Sequence, residues 1–226
     1  MRRVFLLFTF LLCTISISAQ QDSIPQSTID LLNSLTQEQK DALAKGLAEI
    51  EQKYRDEQVT TICGVKFGSS KYVTQYILKS KFGEPLSSSE PLALYYKNVR
   101  YGGLSFDNAA FLFQSDGTTE YLHMAMFHAL ASTKSFAKKL QKAIVDKMKS
   151  KYTMMMELKD SFGFPYYACG YSPLWKEENV KEAIEKYHSA IHISITEAPK
   201  KVVLLTGAKY CVSVIYGPYN FVKEEF

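Results

Sequence analysis

Ala110-Phe111-Leu112-Phe113-Gln114-Ser115-Asp116-Gly117-Thr118-Thr119-Glu120-Tyr121-Leu122-His123-Met124-Ala125-Met126-Phe127 is the stretch that decides the fold. Its first four residues form an apolar run suited to a strand. Ser115-Asp116-Gly117 supplies hairpin chemistry, because glycine takes the positive φ that a tight turn requires. Tyr121 to Phe127 returns the chain. Upstream, Tyr101, Gly103 and Ser105 alternate with Arg100, Gly102, Leu104 and Phe106. That period of two predicts another strand, ending at a turn on Asp107-Asn108. Three consecutive antiparallel strands make a meander.

Helices are expected before it. Thr36 with Gln39 forms a capping box, and Leu43, Leu47 and Ile50 follow on one face, which predicts a helix over about 37–54. Thr61 to Gly68 reads as a short strand ending in glycine. Ser69 or Ser70 caps a second helix through Tyr72, Val73, Tyr76, Ile77 and Leu78, which Gly83 and Pro85 stop.

The same order recurs downstream. Ser132 is placed to cap a helix with Phe136, Leu140, Ile144 and Met148 at every fourth position. Strand-like runs follow at 152–158, 164–169, 190–196, 202–205 and 210–216. Ser172-Pro173 opens a helical interruption that carries Val180, Ala183, Ile184 and Tyr187. The expected fold is α+β, with helices packed on one face of an antiparallel sheet, arranged as tandem helix–meander units. The expected segments are a signal peptide at 1–19, an N-terminal helical segment at 20–58, a first unit at 59–130 and a second unit at 131–226.

The ends bear on location. Arg2-Arg3, the apolar run Val4 to Leu12, and the small residues up to Ala19 lay out a secretory signal peptide, cleaved after Ala19 or after Ser18. The apolar run is too short to span a bilayer. Leu12 stands where a lipidation motif before Cys13 needs a small residue, which argues against a lipoprotein. The expected location is periplasmic or secreted.

Of the 226 residues, 46% are hydrophobic and 22% charged, which excludes wholesale disorder. Outside the leader the only arginines are Arg55 and Arg100. Bidentate phosphate and base contacts rely on guanidinium, so nucleic acid is not an expected partner. Export favours disulfides. Cys169 and Cys211, both in strand-like runs, are the preferred pair, with Cys63 left over. Three buried free thiols are the alternative.

Gly64-Val65-Lys66-Phe67-Gly68-Ser69-Ser70, a helix, and then Phe82-Gly83-Glu84-Pro85 resemble the opening of a BamE/SmpA-like or beta-lactamase-inhibitor-protein-like (BLIP-like) repeat. The leader ending in Ala19-Gln20 is similar to those of Bacteroidetes-type secreted proteins. The resemblance implies an exported bacterial protein that binds other proteins and has no active site. It implies no particular binding residues, cofactor or metal.

His188 and His192 have helical spacing, but the pattern changes to strand between them, and no carboxylate or cysteine completes a metal set. Cys63 with His123 is the one nucleophile–base pair that the sequence offers. Cys169-Gly170-Tyr171-Ser172 is only superficially similar to a cysteine-protease motif. No nucleophile elbow, P-loop, dinucleotide fingerprint or calcium loop is present. The lysines from Lys134 to Lys151 read as the solvated side of a helix, so membrane contact is expected to be peripheral at most.

Tyrosine is the surplus, with 15 copies. Tyr166, Tyr167, Trp175, Tyr216 and Tyr219 are the candidate binding aromatics, because such rings bury area at low entropic cost. The leading expectation is a non-catalytic binding module for a protein or a cell-envelope component. A carbohydrate-binding module that uses the same rings is the alternative, and a Cys–His hydrolase is the second alternative.

Overall fold

The computed structural model describes Gln26, Asp30 and residues 33–159, 163–172 and 189–219. The expected leader, Trp175, His188 and the helical interruption after Ser172 lie outside these residues. The chain divides into two compact units, Met1–Asp56 with Lys176–Tyr187, and Glu57–Trp175 with His188–Phe226.

In the first unit, α1 runs Gln37–Asp56. Its capping box forms in both directions. The Gln39 N–H donates to Thr36 Oγ1 (3.3 Å), and the Thr36 N–H donates to Gln39 Oε1 (2.9 Å). Two amides that a helix start leaves unpaired are thereby satisfied.

The second unit opens on a small hairpin, β1 (Thr61–Ile62) and β2 (Val65–Lys66), rather than on a single short strand. Both turn residues take positive φ, Cys63 at 52° and Gly64 at 78°. That is the two-residue turn whose twist suits a hairpin. The next helix, α2 (Lys71–Phe82), is capped by Ser70 and ended by Gly83.

Strands β3 (Ala93–Tyr101), β4 (Leu104–Ser115) and β5 (Glu120–Ala131) form the expected meander. One boundary is corrected. The first turn lies at Gly102-Gly103, where both residues take positive φ. Asp107 lies inside β4, and its Oδ2 accepts the Leu130 N–H at 2.7 Å. Glycine conformational freedom outweighed the turn propensity of Asp-Asn. The second turn falls as expected, and Asp116 Oδ1 accepts the N–H groups of Thr118 and Thr119.

Helix α3 (Lys134–Lys149) follows, capped by Thr133 rather than Ser132. Its buried residues are Ala137, Gln141, Ile144 and Val145. A strict every-fourth-residue stripe drifts around a helix of 3.6 residues per turn. Phe136 accordingly ends up 47% exposed. The last strands are β6 (Met154–Lys159), β7 (Pro165–Tyr171), β8 (Ser189–Glu197) and β9 (Tyr210–Tyr216). The run Val202–Leu205, expected as a strand, lies instead in a short helix, α4 (Lys200–Thr206), bounded by Pro199 and Gly207.

All seven long strands join one antiparallel sheet in the order β3-β4-β5-β9-β8-β7-β6. The second meander begins at the far edge and works inward, until β9 pairs with β5. The core lies on one face. Phe111, Phe127, Ile191, Ile193, Ile195, Val212 and Val214 point into it, with Leu78 from α2 and Ile144 and Val145 from α3. The α+β class with helices on one face of an antiparallel sheet is therefore observed. No helix among the described residues is long and apolar enough to cross a membrane.

Candidate functional site: the helix-free face of the sheet

Alternate residues of a strand point to opposite sides. The register therefore defines the second face without ambiguity. On β5 it carries Met124, Met126, His128 and Leu130. On β9 it carries Cys211, Ser213 and Ile215, and on β8 His192, Ser194 and Thr196. Asn108, Ala110 and Leu112 continue it on β4. Among the described residues of the second unit, the helices pack on the core face and none packs on this one. On these four strands the one carboxylate is Asp107, at the margin beside Cys211 and Leu130; the other positions named carry no Asp, Glu, Lys or Arg, in a chain where 22% of residues are charged.

Its centre is a small polar cluster. His128 and Ser213 are cross-strand partners, with Nδ1 and Oγ 2.9 Å apart. Cys211, two residues before Ser213 on the same side, brings Sγ to 3.5 Å from that nitrogen. Burial pushes the Cys211 thiol up and the His128 imidazole down. The pair is thus a neutral thiol beside a neutral imidazole, whereas a cysteine nucleophile needs a thiolate. On the neighbouring strands, Tyr166 hydrogen-bonds His192 Nδ1, and the two rings stack with centroids 5.8 Å apart. Burial also holds the His192 imidazole below its usual range.

The other sequence candidates are dispersed. Cys63 occupies the β1–β2 turn, and burial pushes its thiol up to about 12. His123 is the unpaired extra residue of a bulge in β5 opposite Leu112 and Phe113. Cys63 and His123 make no hydrogen bond with each other. The cysteine that reaches a histidine, among the described residues, is Cys211. Cys169 faces the core, fully buried, with its thiol also pushed up to about 12 by burial.

The expected Cys169–Cys211 bridge is corrected, because all three described cysteines are free. Cys169 aligns with Ile191 and through it with Tyr216, at the opposite end of β9 from Cys211. The two also lie on opposite faces. At about 4.8 Å per strand and 3.3 Å per residue their Cα atoms are roughly 19 Å apart, beyond any disulfide.

Tyr216 and Tyr219, expected at a binding surface, are corrected likewise. Each is 3% exposed. The Tyr219 hydroxyl donates to the Val59 carbonyl at 2.8 Å, and its ring packs edge-on against Phe67. Tyr216 hydrogen-bonds Tyr101 and packs against Phe127. Tyr167 points to the core side and is half-buried. Tyr166 is the one described member of the set that reaches the helix-free face.

The most exposed aromatics among the described residues are Tyr72 (81%) and Tyr76 (74%), one turn apart on α2. The sequence pattern places both on that helix. The helix-free face itself was missed for a simple reason. Its signal is a scarcity of charge at every second residue on four strands, and it becomes visible only once the register is known.

No protein-family model, no curated protein and no solved structure matches this chain.

Proposed function

We propose that this chain is an exported, non-catalytic binding module, and that the helix-free face of its sheet receives a protein partner. One observation carries this reading, the scarcity of formal charge across four adjacent strands of that face, where Asp107 at the margin is the one carboxylate. An antiparallel sheet face turned to water alternates toward polar and charged residues. Cores of protein interfaces are instead depleted in Lys, Glu and Asp and enriched in Met and aromatic residues. Met124, Met126, Ile215 and Tyr166 fit that composition. His128, Ser213 and His192 add hydrogen-bonding groups that fix register. The sequence resemblance of Gly64–Ser70 and Phe82–Pro85 to BamE/SmpA-like or BLIP-like repeats, which bind proteins, points the same way. The glycan alternative loses support, because Tyr216 and Tyr219 are buried.

The test is a photo-crosslinking amino acid placed at Met126 or at Ile215 in the tagged protein in its native cells. Lys149 on α3, an exposed position, serves as the control. A discrete protein adduct at both face positions and none at Lys149 is the expected result. A crosslink from Met126 to the chain's own segment 173–188 would show the face to be internal and sink the proposal. So would equal adducts at all three positions.

A further inference from the structure

The connection between β8 and β9 presents two leucines to solvent. Leu204 and Leu205 on α4 are 86% and 75% exposed, the most exposed aliphatic side chains among the described residues. Single exposed leucines are ordinary on protein surfaces. Two adjacent ones held outward are not. The connection is well fastened. The Pro199 carbonyl accepts from the N–H groups of Val202 (2.8 Å) and Val203 (3.0 Å), and the Gly207 N–H donates to Val203 O (2.8 Å). Thr206 Oγ1 donates to Val202 O at 2.8 Å. Beneath the turn, the Ala198 N–H donates to Lys209 O at 2.9 Å, closing the strand pair.

Cations surround the leucines. Lys200 and Lys201 open α4 and Lys209 follows it, all three exposed. The Lys209 N–H donates to the Ala131 carbonyl at 3.0 Å. That bond sets the connection at the end of β5, three residues before Lys134 opens α3. Glu197 is the one acid in the stretch 197–209. None of Lys200, Lys201 and Lys209 forms an ion pair with a described residue.

We propose that this tip docks on an anionic lipid surface. Leu204 and Leu205 enter the boundary between headgroups and acyl chains, and Lys200, Lys201 and Lys209 meet the phosphates. An apolar wedge rimmed by lysine matches a bilayer interface, where an apolar layer lies beneath anionic headgroups. This contact is peripheral, within the sequence expectation of peripheral contact at most, and it lies on α4 rather than on the α3 lysines. Two leucines and three lysines make a reversible contact. This proposal does not rest on the helix-free face.

The test is co-sedimentation of the full chain with vesicles of phosphatidylcholine containing phosphatidylglycerol, and with vesicles of phosphatidylcholine alone. Binding is expected to the anionic vesicles only, and to weaken as salt rises. Leu204→Ser with Leu205→Ser should lower the bound fraction at least about tenfold. Lys200→Glu with Lys201→Glu should abolish the preference for anionic lipid. All four positions are exposed, so both variants should keep the parent circular dichroism spectrum and melting temperature. Absence of binding, or binding unchanged in both variants, would overturn the proposal. A concentration-dependent dimer that the leucine variant dissolves would also overturn it, by placing a second copy on the tip.

Discussion

Phe127 and Met126 are neighbours on β5, yet they belong to different environments. The Phe127 ring is fully buried and packs against Tyr101, Phe106, Phe111 and Tyr216. Met126 lies half-buried on the face opposite the helices of its unit. The aromatic surplus that suggested a binding surface is spent mainly on the core face. There the tyrosines add polar ties as well as bulk. The Tyr101 hydroxyl is hydrogen-bonded to Tyr216 and to the Cys63 backbone, and Tyr219 reaches the Val59 carbonyl. The opposite face is marked by what it omits. Aromatic content therefore marks the core face of this sheet, and scarcity of charge marks the other.

Neighbouring truncations test that contrast most strongly. Phe127→Ala should cost about 3–5 kcal/mol in urea unfolding, because it empties the centre of a ring cluster. Met126→Ala should cost under about 1 kcal/mol, as partly exposed positions do. Equal losses would show that both faces are core. Next in size is Gly217→Ala, at the seam where β9 meets β5. A Cβ there would stand 2.5 Å from the His123 carbonyl oxygen, at a φ of +93°. A loss of about 1–3 kcal/mol is expected from the backbone conformation alone, and more from the clash. A melting temperature equal to that of the parent would refute this close approach.

The acid limb of the pH–stability profile should come chiefly from the helix-free face, whereas the alkaline limb draws on both faces, since burial also raises Cys211 and Tyr166. Burial depresses His128 and His192 below their ordinary 6.5. Below that value the unfolded chain takes up protons that the folded chain refuses, so stability falls as pH drops through the folded values. On the core face, burial raises the Cys63, Cys169 and Tyr101 groups to about 12. Above the unfolded values of 9.0 and 10.0 the unfolded chain releases protons that the folded chain keeps, so stability falls again toward about 12. His128→Asn should flatten the acid limb in a pH series of urea midpoints and leave the alkaline limb alone. A variant that shifts both limbs equally would break the assignment. The smallest effect is expected from Thr74→Val and Tyr96→Phe. Both hydroxyls are buried without a hydrogen-bond partner. Removing them should change stability by no more than about 1 kcal/mol, with stabilisation the favoured sign.

Much of the fold was legible in the sequence, because local rules and tertiary packing agree there. The Thr36/Gln39 box, the Ser70 cap, the Asp116-Gly117 turn and β9 at 210–216 all stand where short-range chemistry put them. The misreadings share one cause, a local pattern with two physical solutions. Val202-Val203-Leu204-Leu205 is apolar enough for a buried strand, but Pro199 and Gly207 leave room only for a short helix that exposes the leucines. Asp107-Asn108 has turn chemistry, yet Gly102-Gly103 turns more cheaply five residues earlier. Of the site, Tyr166 was legible as a candidate, and His192 was noticed only as a metal ligand to be rejected. His128, Ser213 and Cys211 come together across β5 and β9, a pairing between distant parts of the chain that no local pattern encodes.

That pairing sets an order of events during synthesis. The last described strand is also a central one. Until residues 210–216 have emerged, β5 ends the first meander with an uncovered row of amides and carbonyls. A nascent chain halted short of that point holds a sticky edge and an unfinished core, and forming the seam requires closing a long loop, which is slow. The edges of β5 and of β8 wait for the same strand, and both are covered only when β9 arrives.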